Sequence, residues 1–168
     1  MGFLGRRPKR VVGQSPTNNK RTKMQNTQAR KIASEQVKVA MKTAGLLDGI
    51  SLQAQQLHNE TKPCFWRGVV KNEVARSKDI YVVWSIPTST ASERADDKIY
   101  LREVTISVDI FSKRSFESEQ NYKLLQQMEN AFELAGFEVE FADEQYENNT
   151  GLYHYPLTLY KIYGGKNK

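Results

Sequence analysis

Val104-Thr105-Ile106-Ser107-Val108-Asp109-Ile110 is the stretch on which the fold turns. Val104, Ile106, Val108 and Ile110 alternate with Thr105, Ser107 and Asp109, so one face of an extended chain is apolar and the other polar, as in a strand lying on a core. Upstream, residues 80–86 hold Ile80, Tyr81, Val82, Val83 and Trp84, β-branched and aromatic residues that favour a second strand, and Pro87 closes it. The two strands are expected to form a hairpin. Between them, residues 88–97 include Ser89, Thr90, Ser92, Asp96 and Asp97 without a bulky apolar side chain, which reads as a flexible connecting loop.

Outward from this hairpin the period changes. From Gln28, a stripe of Ile32, Ala33, Val37, Ala40, Met41, Ala44 and Leu47 recurs at three- and four-residue spacing, the mark of an amphipathic helix that Gly45 and Gly49 end. Arg30, Lys31, Lys38 and Lys42 fall largely off the stripe and give the helix a positive outer face. Residues 63–70, anchored by Phe65 and Trp66, read as a short strand or packed loop. Downstream, Ser115 is placed to cap a helix running to about Ala135, with a stripe of Tyr122, Leu125, Met128, Phe132 and Ala135, Leu124 adjoining, and Gly136 as its stop. Phe137, Val139 and Phe141 then alternate with Glu138 and Glu140 in a third strand. A polar, acidic loop over residues 143–149 leads to a fourth strand, residues 152–163. This strand carries Tyr153, Tyr155, Tyr160 and Tyr163 with Leu157, Leu159 and Ile162 on both faces, which calls for a covering loop or another subunit. The expected architecture is α+β: a largely antiparallel or mixed four-stranded sheet with helices packed on one face, plus an extended basic N-terminal arm.

The 168 residues carry a net charge of +6, but that figure conceals two opposite parts. Residues 1–34 contain nine Lys or Arg and no Asp or Glu, whereas the remainder carries 16 basic and 19 acidic side chains. Arg6, Arg7, Lys9 and Arg10 surround Pro8, and Lys20, Arg21 and Lys23 form a second cluster. Like charges mixed with Gly, Pro, Ser and Asn cannot bury enough apolar surface to order themselves, so residues 1–27 are expected to await a partner and residues 28–168 to fold. Pro8 and Pro16 interrupt any amphipathic targeting helix. No apolar h-region of a secretory signal is present, and Arg6 stands where a myristoylation signal needs Ser or Thr.

A composition of 39% hydrophobic and 26% charged residues excludes collagenous, wholly disordered and disulfide-framework classes, and no apolar run is long enough for a transmembrane helix. The single cysteine, Cys64, has no partner in the chain and no activating base near it in sequence. With His58 and His154 its spacing matches no metal site, and a Ser/His/Asp or Cys/His centre would need long-range convergence. No Gly-rich phosphate loop follows a strand. No catalytic residue, metal or cofactor is therefore expected. The carboxylates Glu138, Glu140, Asp143, Glu144 and Glu147 read as an acidic edge facing solvent or an interface rather than as an acid/base pair.

The run Tyr100-Leu101-Arg102-Glu103-Val104-Thr105-Ile106-Ser107-Val108-Asp109-Ile110-Phe111-Ser112-Lys113, followed by a helix with Leu125, Met128 and Phe132, then Gly136-Phe137 and a Tyr-rich strand, resembles the tail terminator or tail-completion proteins of long-tailed bacteriophages. The similarity spans roughly residues 28–163. It implies a non-enzymatic virion protein, assembled in the host cytoplasm into a homo-oligomeric, usually hexameric, ring at the head-proximal end of the tail. There it would stop polymerisation of the tail tube protein and join the head connector or adaptor, with DNA passing through the lumen and no membrane involved. The acidic edge would then face the lumen or a docking surface. The long basic arm departs from the pattern of that family. Its seven clustered cations also suit a second reading, a nucleic-acid-binding module that neutralises phosphates; against it, the body is acidic and its sheet shows no basic-aromatic stripe.

Overall fold

In the computed structural model, residues 23–95 and 98–164 are described. Among them the chain runs α1 (Asn26–Thr43), β1 (Leu47–Asp48), α2 (Ala54–Asn59), β2 (Cys64–Arg67), α3 (Asn72–Ser77), β3 (Ile80–Ala95), β4 (Lys98–Ser112), α4 (Glu119–Leu134), β5 (Glu138–Phe141), β6 (Gln145–Glu147) and β7 (Leu152–Gly164). The class is α+β, and the sheet is mixed.

The expected hairpin is present, with Val82 opposite Ile110 and Trp84 opposite Val108. Its arms are far longer than expected. The stretch read as a flexible loop continues as strand, paired from Thr88 opposite Thr105 to Ala95 opposite Lys98, while Asp96 and Asp97 lie outside the described residues. Thr and Ser suit extended backbone when a partner strand supplies the hydrogen bonds. They need no bulky side chains here, because one face is left open by the helices and on the other Ser89 lies opposite buried Val104 beside the start of α1, where Met24 bonds the Ile99 carbonyl. Pro87 ends nothing: it sits in an irregularity between Ser85 and Thr88, past the end of β2, where a missing N–H costs no ladder bond.

The strand order β1-β2-β3-β4-β7-β5, with β6 also on β7, makes seven strands among the described residues instead of four. The additions follow from segments too short for periodicity. β1 pairs in parallel with β2 and β2 in parallel with β3, the crossovers running through α2 and α3, helices of six residues each. β6 is three residues beside the start of β7.

The helices also cover both faces rather than one. Val82, Trp84, Val104, Ile106, Val108, Ile110, Leu157 and Leu159 bury against Ala33, Val37, Met41, Leu124, Met128 and Phe132 of α1 and α4. A smaller cluster on the opposite face packs Cys64, Trp66, Ala75 and Tyr81 with Leu57, Val74, Phe111 and Leu152, so α2 and α3 cap that face at the β1–β3 end only. Gly49 touches the Trp66 indole there, where a Cβ would stand 2.1 Å from Cε2.

Both long helices are rotated from the expected stripes. In α1, Ala29 and Ser34 are buried and Ile32 is exposed. In α4, Asn121 replaces Tyr122 on the inner face; Tyr122 is 54% exposed, and Asn121 Nδ2 donates to Ser112 Oγ at 2.9 Å. Ser118, not Ser115, is the residue before α4. At the other end of the sequence, Met24 is buried, its N–H donates to the Ile99 carbonyl, and α1 starts at Asn26. Residues 24–27, read as the end of the arm, thus belong to the folded body.

Candidate functional site

Strand alternation places Leu101, Glu103, Thr105, Ser107 and Asp109 of β4 on the face away from α1 and α4, since their neighbours Val104, Ile106 and Val108 lie under those helices. Register carries the face across the sheet. Ile162 lies opposite Glu103, Tyr160 opposite Thr105 and Thr158 opposite Ser107, and β5 adds Glu138 opposite Tyr160 and Glu140 opposite Thr158. Beyond the reach of α2 and α3 no described element covers this part of the sheet, and Ile162 is 54% exposed. The two cations of these stretches turn the other way: Arg102 reaches the carbonyls of Met24 and Ser89, and Lys161 donates to the Ala135 carbonyl and lies over the Phe137 ring. Burial lowers the Lys161 pKa. The open face is therefore acidic.

The carboxylates singled out in the sequence divide by role. Glu138 and Glu140 are exposed on β5, and Glu140 accepts a 2.9 Å hydrogen bond from the Tyr160 hydroxyl, which raises the tyrosine pKa. Asp143 is exposed in the following loop. Glu144 points inward, accepting from Ser115 Oγ at 3.1 Å and from the Phe116 N–H, so it braces the turn before α4. Glu147 accepts from Thr150 Oγ1 at 2.9 Å and lies 3.5 Å from His154 Nδ1. Of the arm's cations, Lys23 is described and exposed, whereas Arg6, Arg7, Lys9, Arg10, Lys20 and Arg21 lie outside the described residues.

Two arrangements were not expected from sequence. His154 bridges the carboxylates: its Nε2 is 2.9 Å from Asp109 Oδ1, while Ser107 Oγ donates to Asp109 Oδ2 at 3.2 Å. The order is Ser–Asp–His, with the carboxylate in the middle, so the imidazole does not bond the serine hydroxyl and the group lacks the geometry of a nucleophilic triad. The imidazole instead ends a ladder of rings, Tyr81 on Phe111 at 5.1 Å and Phe111 on His154 at 4.5 Å, carried by register partners in β3, β4 and β7. Only the register could have revealed it. The second is Lys78, buried, whose ammonium donates to the carbonyls of Leu57 and Glu60 and ties α2 to the sheet. Beside it the Cys64 thiol is fully buried, and burial raises its pKa despite the nearby lysine, which keeps it in the unreactive thiol form.

An apolar groove of about 510 Å³ opens between α2 and α3, lined by Ile50, Leu57, Trp66, Val69, Val70 and Val74. Among the described residues no group of three or more His, Cys, Asp or Glu side chains is arranged to hold a metal ion. No helix of the described residues is long and apolar enough to cross a membrane. No family model matches the chain and no curated protein matches it, so the acidic sheet face and its free margins carry the functional reading.

Proposed function

We propose that the protein is a structural subunit of a long-tailed phage, forming a ring at the head-proximal end of the tail that stops tube polymerisation and joins tail to head connector. The observation that carries this reading is the uncovered sheet face bearing Glu103, Glu138 and Glu140, with Arg102 and Lys161 turned away from it. Lining a channel, such a face repels the phosphate backbone and lets DNA slide without adhering, and repulsion in a narrow channel is less screened than in bulk water. The element order, with two long helices packed against an antiparallel core of strands, supports the resemblance in the sequence.

The nine cations of residues 1–34 favour a second reading, phosphate neutralisation by the arm. Negative-stain imaging of the purified protein, alone and with polymerised tail tubes, separates the two. Rings that cap tubes are expected. Monomers that leave tubes uncapped but bind DNA with a steep salt dependence would replace the ring by the nucleic-acid module.

A further inference from the structure

We propose that copies of this chain join edge to edge, the unpaired side of β3 at residues 88–91 receiving β5 of a second copy as an added antiparallel strand. The inference deepens the ring reading and rests on it only for closure of the assembly.

The sheet ends differently at its two margins. On one side, β2 stops at Arg67 opposite Trp84, and beyond that point β3 pairs with β4 alone among the described residues. Between register shifts at Ser85/Thr88 and Ala91/Glu93, residues 88–91 keep extended backbone with alternate peptide groups turned away from β4, a short template for strand addition on which Arg102 already reaches the Ser89 carbonyl at 3.5 Å. Pro87 lies just before this stretch, leaving every residue within it able to donate. On the other side, β5 pairs only with β7, so Glu138–Phe141 presents a second free row of similar length, with Phe141 37% exposed.

Direction and charge match these two margins to each other. The pairs β3·β4, β4·β7 and β7·β5 are all antiparallel, so β5 runs opposite to β3. A copy related by rotation, with its helices on the same side of the sheet, therefore brings its β3 against β5 in the antiparallel sense, the better-bonded pairing. The margin at β3 carries Arg94 beside Glu93, with Arg67 at the end of β2 and Arg30, which donates to the Ile86 carbonyl, leaving a net positive charge among the described residues. The margin at β5 carries Glu138, Glu140 and Asp143. The net positive margin at β3 thus complements the acidic margin at β5, so the contact is heterologous: it propagates head to tail and makes a ring when the rotation closes. In that ring every acidic sheet face turns to the same side.

The test mixes two single variants, Ser92→Cys and Glu138→Cys, both at exposed positions, at millimolar concentration with a short bismaleimide; buried Cys64 stays as it is, and the unmodified chain is the control. Cross-links between 92 and 138 in the mixture, absent from either variant alone, are expected, together with a ladder of oligomers from a chain carrying both cysteines. Equal linking of Ser92→Cys to itself, or a monomer throughout by mass photometry, overturns the inference. Oligomers without the 92–138 link overturn it too but leave the ring reading standing, since the ring then uses another surface. Open filaments joined by the 92–138 link keep the edge contact and remove the ring.

Discussion

Replacing Glu144 with Ala tests whether the acidic segment 143–147 serves the fold before it serves any partner. Its carboxylate accepts from the Ser115 hydroxyl at 3.1 Å and from the Phe116 N–H, and it is half-buried between the β5–β6 connection and the turn that enters α4. Hydrogen bonds to a charged acceptor contribute about 1.5–3 kcal/mol each, and partial exposure lowers this pair to about 3 kcal/mol in all. For a domain of this size each kcal/mol moves the midpoint by about 2–4 °C, so the variant should melt about 6–12 °C lower. Glu138→Ala, at an exposed position on β5, is the control and should stay within about 0.5 kcal/mol of the parent. Thermal unfolding followed by circular dichroism reads both. A Glu144→Ala midpoint indistinguishable from that of Glu138→Ala would refute the bracing role. If the loss is found, charge in a lumen must be probed at Glu103, Glu138 and Glu140, because removing Glu144 disturbs α4 as well.

Lys78→Met leaves the Leu57 and Glu60 carbonyls without their donor and should cost about 3 kcal/mol, with faster reaction of Cys64 toward a thiol reagent as the local readout. Gly49→Ala drives a Cβ into the Trp66 indole and should cost about 3 kcal/mol, seen as a lower urea midpoint and altered tryptophan fluorescence. Burial raises the Tyr163 pKa, so the folded chain holds this proton at alkaline pH after the unfolded chain has released its own; stability is present below about pH 10, falls as pH rises beyond it, and falls less steeply in Tyr163→Phe, as urea midpoints across that range will show. Deleting residues 2–27 should destabilise the protein by about 2–5 kcal/mol more than deleting residues 2–22, because the longer deletion removes buried Met24; equal unfolding midpoints would place that residue outside the core.

Alternation in residues 104–110 was enough to locate β4 and its buried face, because period two under a continuous core leaves a clear trace. The distal hairpin was not legible. Thr88, Ser89, Thr90 and Ser92 have the composition of a loop, and only pairing with β4 makes them strand. β1 and β6, at two and three residues, are set by neighbours rather than by their own pattern. Helix phase failed at Tyr122 for a related reason. Asn121 is polar by type, yet its amide meets Ser112 Oγ and the Ser115 carbonyl in the turn, and those partners compensate its burial. The acidic residues were named from sequence, but not their division between Glu138 and Glu140 on the open face and Glu144 inside the turn, which depends on where the chain reverses after β5.

That division bears on how an acidic body and a basic arm coexist in one chain. The open face is poorly suited to recruit DNA, since Glu103, Glu138 and Glu140 oppose phosphate and the described cations Arg102 and Lys161 of β4 and β7 are turned from it. A chain that needed its sheet to grip nucleic acid would place Arg102 and Lys161 on that face; here both are turned to the helix side and bonded to carbonyls. The exposed cations Lys31 and Lys42 sit on α1, on the other side of the sheet, so the positive charge of that helix and the acid of the open face occupy different surfaces of the same subunit. In an assembly of several copies this separation has a mechanical consequence. On the proposed ring reading, a repelling face would keep a passing polyanion mobile, while several basic arms, each weak alone, would hold an acidic neighbour firmly through their high local concentration.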